Sequence, residues 1–485
     1  MRLWPPRLSE GHRSLTAFLN SAEKAAVEIR RSAERKNRIH IISHFDSDGI
    51  ASGSIMATAL WRLRVEAKVS TVQGLTDSIV SDLADDYYDG FIFTDIGSGY
   101  TQLLRLHEKF PGQILVLDHH PARPELDPSM QVNPRIHGFD GGVECCGSTV
   151  AYLIARSLSP HNRDLSHLAV VGSLADQQDK GEGRTLKTLN LIPLQDAQSL
   201  GIVTVTEDLL FYGRETRPLH RALALTTNPF LPGLTGREDA CISLLSRAGI
   251  PLKREDRWVT AASLLGEERT RLLSAIGDEI HGSGKADETV TNLVGAVYTL
   301  SRENPLTSLR DAREFATLLN ACGRMGRPGL GNALCMGDRG SAVRQSEELL
   351  QDYRRSLSFY IAKITEDQST IERKGVLTVV RGDDFMKDSM TGAVSSMLSG
   401  SRLIGESVTL VVARKNGAWA RLSARGTEGL VGKGLDLGAL LSQVCGRLGG
   451  IGGGHSIAAG AEIQWEKLKE FVSELEVGIR RQVSV

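Results

Sequence analysis

The sequence predicts an α/β fold in which a domain built on a parallel sheet is joined by a long helix to a smaller α/β domain. Three observations lead there. Through the first 200 residues, short apolar, β-branched runs alternate with helical patterns, and each run ends in acids or histidines. Residues 341–367 hold a continuous helical pattern with Arg344, Glu347, Glu348, Asp352 and Arg355 on one face. Beyond Gly375 the rhythm of strand and helix resumes.

Taken in order, Leu15, Phe18, Leu19, Ala22, Ala26 and Ile29 have the spacing of an amphipathic helix over 15–36 that feeds the first strand. Residues 38–43 read as a buried strand, and 50–60, beyond His44-Phe45-Asp46-Ser47-Asp48-Gly49, as a helix packed on it. A strand at 67–73 and a helix at 76–85 follow. Residues 90–97 place Asp95 at the end of a short apolar run, 100–110 read as a helix, and 113–117 end in Asp118-His119-His120. A helix over 148–157 precedes the apolar stretch 165–175, which ends at Asp176 and is grouped with the strand ends. From about 185 to 320 the pattern is short helices broken by loops such as 228–233. The second domain then reads as strand 376–380, helix 391–398, strands 407–413 and 419–424, and a Gly-rich loop. The expected boundaries are 1–335 for the first domain, 336–370 for the connecting helix and 371–485 for the second domain. The first divides into an N-terminal helix, a core at about 36–185 and a helical extension at about 186–335.

A chain of 485 residues has room for about two to four domains. No apolar run approaches the ~20 residues of a membrane helix, and residues 1–11 hold prolines and charges but no apolar core of a signal peptide. A soluble, cytoplasmic protein that binds no membrane is the expectation. Six cysteines, two of them adjacent at 145 and 146 and none in a CxxC pair, exclude a disulfide or zinc framework. A net charge of −1 gives no global attraction to nucleic acid, so a nucleic-acid enzyme would have to gather its basic residues in one groove.

The residues with chemistry collect at the run ends: His44, Asp46, Asp48, Asp95, Asp118, His119, His120 and Asp176. Open α/β sheets keep their ligands at the carboxyl edge, and in an extended segment 44, 46 and 48 would share a face. Carboxylates and imidazoles crowded together repel or stay protonated unless a cation lies between them. Oxygen donors with imidazole suit Mg²⁺ or Mn²⁺, and five carboxylates exceed the needs of one ion, so two ions are expected. A lone aspartate after a strand is commonly a helix cap; four clusters in order are not explained that way. In the second domain, Gly452-Gly453-Gly454 with His455 could present amides to a phosphate. Arg324 and Arg425 suit bidentate phosphate contacts, with Arg402, Arg414, Lys415, Arg421 and Lys433 nearby.

The order HFDSDG (44–49), FTDIG (93–97), LDHH (117–120) and GSLAD (172–176) resembles the four motifs of the DHH phosphoesterases. LNACGR (319–324) looks like the RecJ-type signature, and SAR (423–425) and GIGGGH (450–455) resemble the substrate-binding motifs of the associated DHHA1 domain. The likeness covers most of the chain, is weakest from about 185 to 310, and is nearest to archaeal RecJ-like single-strand exonucleases. It implies a DHH catalytic domain and a DHHA1 substrate-binding domain, with two Mn²⁺ or Mg²⁺ ions activating water for attack on phosphorus. His44, Asp46 and Asp95 would hold one ion, and Asp48, Asp95, His119 and Asp176 the other, with Asp95 bridging. His120 would contact the scissile phosphate and Asp118 would orient a ligand from behind. Asn320, Arg324, Ser423, Arg425, Gly453, Gly454 and His455 would bind substrate. The implied activity is exonucleolytic release of mononucleotides from single-stranded DNA or RNA in replication or repair, with the GINS replication complex as a partner. Competing expectations are a phosphodiesterase of short oligonucleotides or cyclic dinucleotides, and a replication scaffold; the filled ligand positions disfavour the scaffold. Asp95→Ala is expected to abolish hydrolysis and leave the fold.

Overall fold

The computed structural model describes residues 14–483 except 180, 227–228, 230, 282–285, 306, 400 and 402–403. The readings of residues 1–11, of part of the 228–233 loop and of Arg402 lie outside the described residues. Helix α1 (Leu15–Glu34) starts where the Ser14 side chain accepts the Ala17 amide, and it lays Phe18, Ala22, Ala26 and Ile29 into the core. The chain then enters β1 (Ile39–His44) and α2 (Ser47–Arg62). It continues through β2 (Ala67–Val72), α3 (Asp77–Ala84), β3 (Gly90–Thr94), α4 (Leu103–Lys109), β4 (Ile114–Leu117) and the two-residue β5 (Gln131–Val132). These five strands form one sheet in the order β2-β1-β3-β4-β5, every neighbouring pair parallel. Parallel pairing requires a crossover between strands, so all carboxyl ends lie on one edge. Apolar side chains cover both faces. Ile42, Phe91, Phe93 and Val116 pack with α3 and α4, and Ile41, Ile92 and Leu117 pack with α1, α2 and the next two helices.

Those two are α5 (Gly147–Leu158) and α6 (Ser166–Ala175). Residues 165–175, grouped by sequence with the strand ends, are therefore helical. Leu168, Ala169, Val170, Val171 and Leu174 are all buried, and a helix apolar on every side loses the 3.6-residue rhythm that separates helix from strand. The next part contains α7 (Leu191–Ser199), β6 (Val203–Leu209), α8 (Leu219–Leu225), α9 (Glu238–Arg247), the short hairpin β7 (Lys253–Arg254) and β8 (Arg257–Trp258), α10 (Gly266–Ile280), α11 (Ala286–Thr291) and β9 (Val294–Leu300). The antiparallel β6–β9 pair corrects the expectation of helices and loops alone. This part buries an apolar cluster of its own, including Phe211, Leu223, Leu244 and Ile276.

Helices α12 (Ala312–Arg324) and α13 (Pro328–Cys335) pack back against α2 and α6, and α14 (Ser341–Glu366) is the long connector. The second lobe comprises β10 (Ile371–Lys374), β11 (Leu377–Arg381), α15 (Thr391–Leu398), β12 (Val408–Lys415), β13 (Trp419–Arg425), α16 (Glu428–Gly432), α17 (Leu437–Leu448), β14 (Ile451–Gly454), β15 (Ala458–Gln464) and α18 (Leu468–Val483). Its six-stranded sheet runs β10-β11-β12-β13-β15-β14. The run 451–454 is thus an edge strand, where a Gly-rich loop was expected. Gly452, Gly453 and Gly454 pair with Ala461, Gly460 and Ala459. A Cβ at Gly452 would lie 2.6 Å from Cys445 Sγ on α17, so only a strand of glycines passes this close to that helix. Among the described residues no helix is long and apolar enough to cross a membrane.

Candidate metal centre and cleft

His44 ends β1, and the backbone turns at once into α2. Asp46 is the helix cap, its Oδ1 accepting the Gly49 amide at 3.1 Å. Asp48 stands in the first helical turn, fully buried. This corrects the reading of 44, 46 and 48 as one face of an extended segment: helix geometry separates Asp48 from the other two. Gly49 is required at the turn, because a Cβ there would fall 2.2 Å from the His44 carbonyl oxygen. Asp48 Oδ2 accepts the Gly147 amide at 2.7 Å and Oδ1 the Ser148 amide at 3.0 Å, so the amino end of α5 points at a buried carboxylate.

Asp95 follows β3 with φ at +59°, a left-handed conformation that aspartate tolerates better than most side chains. Its two oxygens face different neighbours. Oδ1 lies 3.0 Å from His119 Nε2, and Oδ2 lies 3.6 Å from His44 Nδ1. His119 Nδ1 is 2.5 Å from the Gly141 carbonyl oxygen, to which it donates, turning Nε2 toward Asp95, Asp176 (3.4 Å) and Asp48 (3.9 Å). Asp176 caps the carboxyl end of α6. Donor atoms of His44, Asp46 and Asp95 lie within 4.8 Å of one another, as do those of Asp48, His119 and Asp176, and those of Asp95, Asp118, His119 and His120. Asp118 accepts from the Ser98, His119 and His120 amides and from His120 Nδ1 (2.8 Å).

The electrostatics call for a cation. Burial, then the charge of Asp95, pushes Asp48 up to about 7 against the pull of His119. Burial and Asp48 hold Asp176 well above the usual carboxylate range. Burial opposes the imidazolium of His44, but Asp46 and Asp95 outweigh it and push its pKa up to about 10. Among the described residues His44 Nδ1 is nevertheless buried without a hydrogen bond, its 2.9 Å approach to Asp46 being an ion-pair contact. A nitrogen in that position among carboxylates fits metal coordination. The donors are oxygen and imidazole, which suits Mn²⁺ or Mg²⁺. The nearby Cys146 thiol contributes no thiolate: burial, followed by Asp48, raises its pKa, and it lies against the Ser148 and Ser173 hydroxyls.

The second lobe closes over this centre. The His455 ring stacks on His120 with centroids 4.9 Å apart and planes at 22°, and Arg123 donates to the Ser442 hydroxyl across the gap. Between the lobes is a cleft of about 900 Å³ lined by His44, His120, Arg324, Ser423, Arg425 and the 452–455 strand end. Burial and then Arg324 lower the Arg425 guanidinium to about 10. Arg324 lies over the Phe45 ring and donates to the Ser389 carbonyl. Asn320 is outside the cleft wall; it accepts from Arg324 Nε at 3.3 Å and donates to the Tyr353 hydroxyl. A Cβ at Gly453 would meet nothing within 4 Å, so that backbone faces open cleft.

Sequence reasoning missed the walls of the site. The Gly147 and Ser148 amides carry no residue-type signal at all. Arg135 donates to the His119 carbonyl (2.9 Å), and Gln178 to the Gly141 carbonyl (2.9 Å), the group that orients His119. The GSLADQQD run containing Gln178 was the one available hint.

The model for the DHH family, N-terminal domain, matches residues 38–173, that for the DHH-CID domain 211–294, and that for the DHHA1 domain 374–480. Matches to a DHH, a DHH-CID and a DHHA1 domain thus follow one another along the chain. The DHH-CID match falls where the sequence was least informative. Among individual relatives, the uncharacterized protein MJ0831 of Methanocaldococcus jannaschii is 29% identical over 456 residues, covering 92% of this chain and 94% of that protein. The single-stranded-DNA-specific exonuclease RecJ of Bacillus subtilis is 25% identical over 194 residues, 38% of this chain and 25% of that protein. RecJ from Thermus thermophilus, solved in complex with Mn²⁺, aligns with a TM-score of 0.56 at 17% identity, over 95% of this chain and 55% of that one. CDC45 from Entamoeba histolytica aligns with a TM-score of 0.60 at 12% identity, over 95% and 99%. These structural likenesses concern the fold.

Proposed function

We propose that the chain is a metal-dependent phosphodiesterase that shortens single-stranded nucleic acid from an end and releases mononucleotides. The observation that carries this reading is Asp95, whose two oxygens face two separate donor clusters opposite an arginine-lined lobe. His44, Asp46 and Asp95 would hold one divalent ion, and Asp48, Asp95, His119 and Asp176 a second. Such ions, when bound, lower the pKa of water and neutralise charge developing on a phosphate. The chain's own groups do the rest. Arg324 and Arg425 bind a phosphate from the far wall, with Ser423, Gly453, Gly454 and His455 completing the contacts. Asp118 holds His120 Nδ1–H, and His120 lines the cleft where a phosphate would bind. Asn320 fixes the Arg324 fork.

The cleft volume and the Arg123–Ser442 bridge across it favour, as a second reading, short oligonucleotides over long strands. The test is digestion of 5′- and 3′-labelled single-stranded DNA and RNA of graded length with Mn²⁺ or Mg²⁺. Stepwise mononucleotide release, abolished by chelation, is expected. Cleavage confined to dinucleotides would establish the second reading, and no cleavage with either ion would overturn both.

A further inference from the structure

A second cavity, of about 190 Å³, lies between the start of the DHH-CID segment and the connecting helix, away from the metal centre. At about 30 Å³ per water, it has room for roughly six waters, enough for a tetrahedral oxyanion with part of its hydration. Arg217 and Arg354 enter it from opposite elements, with Thr216, Ser308 and Gln351 adding hydroxyls and an amide. Both guanidiniums sit over the same Tyr212 ring, with their carbons 5.8 Å and 4.0 Å from its centroid. Among the described residues neither forms an ion pair, and Arg217 Nε is buried without a hydrogen-bond partner. Two cations converging on one space repel, as the carboxylates of the metal centre do with the opposite sign.

Two acids share this wall with the arginines. Glu347 accepts from the Ser308 hydroxyl at 3.1 Å, and Glu314 accepts the Gly213 amide at 2.9 Å. Burial and then Asp311 push Glu314 up to about 8, against the pull of the Gly213 amide, Arg217 and Arg354. Arg217 is laid in place by the backbone: Gly213 has φ at +74°, and a Cβ there would fall 2.5 Å from Arg217 Cδ. The fork is set before any ligand arrives.

We propose that the Arg217–Arg354 cavity is a second binding site, distinct from the cleft, for a phosphate group, either free or at the end of a nucleotide. Planar guanidiniums recognise such oxyanions in bidentate fashion. The test titrates inorganic phosphate and, separately, a nucleoside 5′-monophosphate into the metal-free full chain by calorimetry. Wild-type protein is compared with Arg217→Gln/Arg354→Gln, and Arg425→Gln reports the share of binding that belongs to the cleft. The cavity's share is expected to weaken at least tenfold in the double variant and to persist in Arg425→Gln. Charge-keeping Arg217→Lys/Arg354→Lys, with an unchanged circular-dichroism spectrum, is expected to recover part of it. Binding by both ligands would identify free phosphate as sufficient, and binding by the monophosphate alone would identify a nucleotide. Titrations identical in wild type and double variant, or no binding surviving in Arg425→Gln, would overturn the proposal and leave the function of the cleft untouched.

Discussion

A Cβ at Gly172 would fall 2.3 Å from Asp48 Oδ1 and 2.0 Å from Ser148 Oγ. Helix α6 therefore presses its backbone directly onto the carboxylate, and glycine there is a matter of space. Gly172→Ala should displace Asp48 from the α5 amides and cost about 1–3 kcal/mol of stability, the range for overpacking a dense interior. Denaturant melts and Mn²⁺ titrations of the variant check this. Unchanged stability together with unchanged metal affinity would show that α6 gives way freely.

Asp95 is the group on which the two-cluster arrangement depends. Its φ of +59° makes Asn a cleaner replacement than Ala, because asparagine also tolerates the left-handed region. Asp95→Asn should keep the fold, lose hydrolysis by at least about 10³-fold, in keeping with the electrostatic groups that dominate such sites, and lose metal-induced stabilisation. Wild-type protein at a metal concentration of 100 times Kd should gain about 2.7 kcal/mol. An Asp95→Asn protein whose melting temperature rises with Mn²⁺ as the wild type's does would remove the shared-ligand assignment.

His455 reaches the centre from the other lobe, where burial and then the charges of His120 and His119 hold its pKa well below the ordinary value. His455→Ala should leave Mn²⁺ affinity intact and lower kcat/KM by about 10- to 100-fold, the loss of one hydrogen bond to a charged group. A fall in metal affinity would instead make His455 part of the metal set.

What was legible in the sequence follows a pattern. Run ends announced themselves, because β1, β3 and β4 are short apolar stretches closed by residues that have no reason to stand there without a site. Asp176 reads as a strand end in the sequence and caps a helix in the structure, since α6 is apolar all round and carries no period. The glycine strand was read as a loop because its pairing with β15 depends on backbone groups and its narrowness on Cys445, 7 residues earlier on α17. Gly141, Gly147 and Arg135 act through tertiary contacts with His119, Asp48 and Asp95 that no local spacing records.

Glu314 gives the fold a pH dependence of its own, away from the metal centre. Its carboxyl is buried and accepts the Gly213 amide, and its pKa rises from 4.5 to about 8. The folded state thus binds this proton more tightly than the unfolded state. Its contribution is complete below about pH 4.5 and lost as the pH rises toward 8, because over that window the unfolded chain ionises and the folded chain does not. At about 1.4 kcal/mol per unit, the loss is on the order of a few kcal/mol. Glu314→Gln keeps the shape and removes the titration, so its stability should fall less than that of wild type between pH 5 and 8. Parallel denaturant melts across that range decide it: equal slopes in the two proteins would mean that Glu314 is ionised in the folded chain at neutral pH, and that Arg217 and Arg354 serve as its counter-charge.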